Sequence, residues 1–144
     1  MDKILISIKP MYMENIMLGK KTIELRKRVG KFFLPENEIY MYSSTPVKAL
    51  VAKGCIKKID KMEITRLGNK KHEILQHACI NEKEFDGYFS GVSFCYLIHL
   101  ENINELKSPV PLKEMKRFGL YPPQSFCYLN DDMMEIIGSY WSDK

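Results

Sequence analysis

The sequence predicts a single α+β domain over residues 1–144, a small mixed β-barrel decorated by short α-helices. Six runs of strand character begin near residues 4, 22, 38, 49, 93 and 125. The helical segments between them are short, and glycines such as Gly19, Gly91 and Gly119 stand at their ends. A chain of 144 residues is the size of one domain, and such a domain buries roughly 68 to 70% of the surface its unfolded chain exposes, so it needs no disulfides to hold a core.

Taken in order, Ile4 to Ile8 is an apolar strand closed by Lys9-Pro10. Proline suits a first helical turn, and Pro10 to Leu18 carries Met13, Ile16 and Met17 as an inward stripe. Gly19 ends that helix through a left-handed cap. The next strand alternates, with Thr22, Glu24, Arg26 and Arg28 on a charged face and Ile23 and Leu25 on a core face. Gly30 to Glu36 is a loop anchored by Phe32-Phe33-Leu34. Glu38 to Ser43 is a strand, Ile39 and Met41 facing one way and Tyr40 and Tyr42 the other.

A long strand lies within Val47 to Ile59, with Gly54 as a bulge or bend. Glu63 to His77 is helical and split at Gly68-Asn69, and Asn81 caps a helix over Glu82 to Phe89. Ser93 to Leu100 is a strand whose first five residues recur as Ser125 to Leu129, two strands under similar packing demands. Asn102 to Pro111 reads as a loop and Leu112 to Phe118 as a short helix stopped by Gly119. Asn130 caps a last helix from Asp131 to Ile137, and Trp141 is expected to cover an edge.

The most informative stretch is Gly19 to Arg28, which sets one carboxylate, Glu24, among five cations. A glutamate between Lys21 and Arg26 can hold a guanidinium in a fixed orientation toward a phosphate or a base edge. A charge run is also what a solvated strand face looks like. Lys21 is ambiguous: strict alternation puts it on the apolar face, and it reaches the polar side only if the strand begins at Thr22.

Gly19-x-Lys21-x-x-Glu24-x-Arg26 follows the turn Ser7-Ile8-Lys9-Pro10. With Tyr42-Ser43-Ser44-Thr45-Pro46 and Pro122-Pro123-Gln124-Ser125-Phe126 it resembles the ASCH domain, the activating-signal-cointegrator homology domain of the PUA-like superfamily. The resemblance implies a PUA-like pseudobarrel with a cleft beside the first helix. That cleft would gather Lys9, Lys21, Glu24, Arg26, Ser43, Gln124 and Ser125. Arg28, Tyr42 and Ser44 extend the candidate set. Lys9 stands before a helix N-terminus, where anions are favoured. Two prolines present Gln124 with little entropy to lose, and its amide both donates to and accepts from a base edge. Stiff loops and hydroxyl-rich turns account for the same residues without a ligand.

The formal charge of +4 permits nucleic-acid binding without requiring it, and residues 20–31 concentrate it as a basic patch. Cys55, Cys79, Cys95 and Cys127 form no Cys-x-x-Cys and read as free thiols of a reducing, cytoplasmic protein. His72, His77 and His99 have no partner motif, so neither a metal nor another cofactor is expected. The N-terminus lacks the features of a secretion signal, and no apolar run approaches the roughly 18 residues that span a bilayer, so no membrane partner is expected.

The leading expectation is a binding module for RNA or a nucleotide: Lys9, Lys21 and Arg26 on phosphate, Gln124 and Ser43 on a base or ribose edge, Tyr42 as a stacking face. A second is a metal-independent hydrolase using Lys21 and Glu24. Relatives with this fold resemble acetylated-cytidine amidohydrolases or ribonucleases, but the former place a threonine three residues after the lysine, where this chain has Glu24, with Thr22 its only hydroxyl neighbour. A third, implied by the family's name, is a docking domain in a transcription or translation assembly, which would show an exposed apolar patch. The oligomeric state is not legible.

Overall fold

Alternation along each strand sorts its side chains onto two faces, and in this molecule each face finds its own cover. The computed structural model describes residues 3–142, with side chains as far as residue 139, so Trp141 lies outside the described side chains. The elements are β1 (Lys3–Ile8), α1 (Pro10–Met17), β2 (Ile23–Arg26), β3 (Glu38–Ser43), β4 (Ala49–Glu63), a 3-10 turn (Ile64–Arg66), α2 (Lys70–Ala78), α3 (Glu82–Tyr88), β5 (Phe94–Pro111), α4 (Leu112–Arg117), β6 (Phe126–Leu129) and α5 (Asp131–Ser142). Among the described residues the strands form one sheet in the order β2-β5-β4-β3-β1-β6. β1 and β3 are parallel, and the other pairings are antiparallel. The fold class is α+β, as the sequence predicts.

The inner face carries Ile4, Ile6, Ile39, Met41, Ile56 and Ile98, and Met13 and Ile16 of α1 fill the same core. The outer face of β1 and β3 presents Leu5, Tyr40 and Tyr42 to Met115 of α4 and Ile137 of α5. The outer face of β2 and β5 presents Ile23, Leu25 and Leu97 to Ile74 of α2 and Phe85 of α3. Ile39/Met41 and Tyr40/Tyr42 therefore divide between faces as their alternation requires.

The strand ladder is open, with β2 and β6 at its edges. The two edges nevertheless meet, because Arg26 of β2 donates from Nη2 to Ser7 O at 2.8 Å and from Nη1 to Ser125 Oγ at 3.2 Å. The loop after β2 seals the seam further along: Phe32 N donates to Tyr128 Oη at 3.2 Å, and Phe33 packs edge-on to Phe126 at 4.8 Å between centroids. A Cβ at Gly30 would lie 2.0 Å from Tyr128 Oη, so only glycine lets the loop approach this closely.

Several boundaries differ from the sequence reading. β4 runs on to Glu63, and the segment after it is a 3-10 turn and a separate helix, parted at Gly68. The larger correction is Asn102 to Pro111, a predicted loop that continues β5. Asn102, Asn104, Glu105, Lys107 and Ser108 are all exposed, and the buried Leu106 and Val110 stand four apart, so the segment lacks a strand's alternation. Its strand identity comes from pairing with β4, through Lys53↔Asn104, Ala52↔Glu105 and Leu50↔Val110. The predicted bend at Gly54 falls at a register shift, where a Cβ would sit 2.6 Å from Ile103 Cδ1. Cys95 is buried, and the four cysteines are free; burial pushes the Cys95 and Cys127 thiols up. Among the described residues no helix is long and apolar enough to cross a membrane.

Candidate nucleic-acid interface

The site grows from the end of α1. Gly19 adopts φ 78°, and Lys20 N and Lys21 N both donate to Asn15 O at 3.0 Å, so the chain leaves the helix through a tight left-handed turn. Thr22 N then donates to His77 O at 2.9 Å, which draws the segment against the last turn of α2. β2 begins only at Ile23. Lys21 is thus freed from strand alternation, and its side chain turns inward.

Lys21 is 4% exposed. Its Nζ donates to Ile23 O at 2.7 Å and to Ala78 O at 2.8 Å, and lies 3.3 Å from Glu24 Oε1. An ammonium has three N–H groups, and three acceptors surround this one. Ala78 is the last residue of α2, so the charge also meets the negative end of that helix. The Tyr12 ring of α1 covers the ammonium with its centroid 5.0 Å away. Tyr12 Oη donates to Glu84 Oε2 of α3 at 3.1 Å, and burial, followed by Glu84 and Glu24, pushes the phenol above its ordinary value.

Glu24, 7% exposed, spends its second oxygen on Arg26: Oε2 accepts from Nε at 2.8 Å and lies 2.7 Å from Nη2. Arg26 is half-buried, and it also donates to the Ser7 carbonyl and the Ser125 hydroxyl. Ser7 Oγ in turn donates to Pro123 O at 2.6 Å, which holds the Pro122-Pro123 segment in place beside it. The result is a charged line, Lys21 to Glu24 to Arg26, running from the buried interior to the seam between the sheet edges.

No family model matches the sequence. Over 139 residues the chain is 26% identical to an ASCH domain-containing ribonuclease of Zymomonas mobilis, covering 95% of this chain and 90% of that protein. The crystal structure of ASCH from Zymomonas mobilis superposes with a TM-score of 0.84 at 24% identity, covering 95% of this chain and 94% of that one. A serine-to-alanine variant of the same protein gives 0.85 at 24% identity, covering 97% and 96%. This chain folds as an ASCH domain. The ASCH fold extends more distantly to the N-terminal domain of Staphylothermus marinus McrB, with a TM-score of 0.60 at 12% identity, covering 95% of this chain and 93% of that one.

Within this fold, Lys21, Glu24, Arg26 and Ser125 are joined by direct contacts. Lys9, Ser43 and Ser44 gather at the end of β1 that receives Arg26: Ile8 pairs with Ser43, and Ser44 N donates to Ile8 O at 2.9 Å. Ser43 is buried there, while Lys9, Gln124 and Ser125 are exposed. Tyr42 is a correction. It packs on the outer face with Leu5 and Leu50 and is 4% exposed, so it offers no ring to a ligand. Thr22 is another, because it precedes the strand and lines a recess of about 420 Å³ on the outer face with Ile23, Asp60 and His99. Arg28 is exposed two residues past the end of β2.

A second recess, about 700 Å³, opens between α2 and α3 beside Lys71 and Asn81, also away from the cluster. Tyr12, Ser7 and Glu84 escape the sequence reading as site members. Tyr12 lies one turn before Ile16 on the helix face that turns inward, which is the one signal that could have placed it over the site.

Proposed function

We propose that this chain binds RNA, with Arg26 as the contact for a backbone phosphate at the seam between β2 and the start of β6. One observation carries the reading. A guanidinium has five N–H groups, and Glu24, Ser7 and Ser125 account for four of Arg26's contacts in a rigid fork, leaving one Nη1 hydrogen beside the exposed Ser125 hydroxyl for an incoming oxygen. A planar donor held this way recognises phosphate by geometry as well as charge. Lys9 adds a cation nearby, and Gln124 and Ser125 stand where a ribose or base edge would lie. The name of the Zymomonas mobilis relative, a ribonuclease, supports RNA as the partner class.

That name also favours RNA cleavage as a second reading. It ranks below binding because Lys21 Nζ is surrounded by three acceptors within the fold and both Glu24 oxygens face cations, so neither side chain is turned toward a substrate. The test is fluorescence anisotropy with a short single-stranded RNA at several salt concentrations, with the RNA then run on a denaturing gel. Arg26→Lys keeps the charge and loses the fork, and binding falls about tenfold or more. Lys9→Ala reduces the salt slope by about 1. Arg26→Lys binding as wild type contradicts the assignment, and shortened RNA puts cleavage first.

A further inference from the structure

The row that contains Arg26 continues across the sheet. Arg26 pairs with Tyr96 across β2 and β5, and Tyr96 pairs with Lys61 across β5 and β4. Paired residues point to the same face, so the three side chains stand next to one another on the inner face of the sheet. The preceding row, Glu24, Ile98 and Ile59, is where the inner hydrophobic core ends. Beyond it the face opens to solvent. Phe94, two residues before Tyr96, extends the platform and is 38% exposed. Lys61 lies over both rings, 4.4 Å from the Phe94 centroid and 5.8 Å from that of Tyr96. The carboxylate opposite Phe94, Glu63, is occupied by Arg66 at 2.8 Å.

We propose that Tyr96 and Phe94 form a stacking platform for two successive bases of single-stranded RNA, with the flanking phosphates at Arg26 and Lys61. The proposal rests on the reading of Arg26 as a phosphate contact. Alternate residues of a strand lie about 6.7 Å apart on one face, which sets two rings side by side for two unstacked bases. Bases stack on aromatic rings regardless of sequence, and cations beside the rings complement the backbone. Lys61 already rests on these rings by cation–π attraction and moves aside to a phosphate when a base takes its place. The platform is continuous with the Arg26 site, whereas the two recesses on the opposite side of the sheet and between α2 and α3 are not.

The test is anisotropy with a labelled single-stranded RNA hexanucleotide, comparing wild type with Phe94→Ala and Tyr96→Leu, the second keeping the bulk and losing the aromatic ring. Thermal melts confirm that each variant is folded. Each variant binds about 5- to 100-fold more weakly than wild type, with an unchanged salt slope because the phosphate contacts remain. If wild type binds the RNA and both variants bind equally well, the platform is wrong and the Arg26 reading stands. A reduced slope in the aromatic variants also overturns the platform, since phosphate contacts would then be what was lost. If wild type binds no RNA, both readings fall together.

Discussion

Lys21 anchors the candidate site from inside the fold. Its ammonium is buried against Ile23 O, Ala78 O and Glu24. Removing one partner of a buried ion pair typically costs about 3–5 kcal/mol, because the charge left behind is uncompensated. Lys21→Ala strands two carbonyls and leaves Glu24 to Arg26 alone. A loss of that size in urea unfolding, with the slope of the transition unchanged, is the expected result; wild-type stability would mean that water replaces the ammonium at no cost. The Gly-x-Lys spacing marks Lys21 in the sequence, yet its role is not legible there. Whether it faces core or cleft depends on where β2 starts, and the backbone bond from Thr22 to His77, 55 residues away in the chain, contributes to that.

At the scale of elements, local signals served where a segment's own pattern decides its state. α1 with its proline start and left-handed Gly19 stop, the Asn81 cap accepting from Glu84 N at 2.7 Å, and the two faces of β3 all follow from nearby residues. The second half of β5 does not, because its apolar residues do not alternate and pairing with β4 makes it a strand. Long-range pairing leaves no local trace, and the same is true of the Arg26 bridge between edges. Another such link is Glu38 of β3, which bonds Lys3 of β1 and lies 3.5 Å from Lys53 of β4. Burial raises the Glu38 carboxyl, but Lys3 and Lys53 together outweigh it and hold the group below its ordinary 4.5. A lowered carboxyl contributes stability above that value and loses it as pH falls through the folded-state pKa. Melting curves from pH 7 to pH 3 should therefore show wild type above Glu38→Gln by up to about 1 kcal/mol at pH 7, the gap closing toward pH 3. A gap independent of pH contradicts the clamp.

Among the described residues three apolar clusters pack on the two faces of one curled sheet, and the seam where its edges approach is bridged by a charged side chain as well as by the aromatic loop from Phe32 to Phe33. Barrel seams leave backbone groups without ladder partners, and here Ser7 O is given to Arg26. The same guanidinium reaches the exposed Ser125 hydroxyl, so one residue both bridges the seam and stands at the candidate site. If RNA meets this seam, its arrival is visible residue by residue. A short single-stranded RNA is titrated into 15N-labelled protein and followed through backbone amides and the Arg26 Nε–H resonance. Shifts are expected at Arg26, Ser125, Gln124 and Lys9, spreading to Tyr96 and Phe94, with His77 and Lys70 on the outer face unmoved. Shifts centred on the outer-face recess, with Arg26 Nε–H unchanged, would contradict RNA binding at the seam.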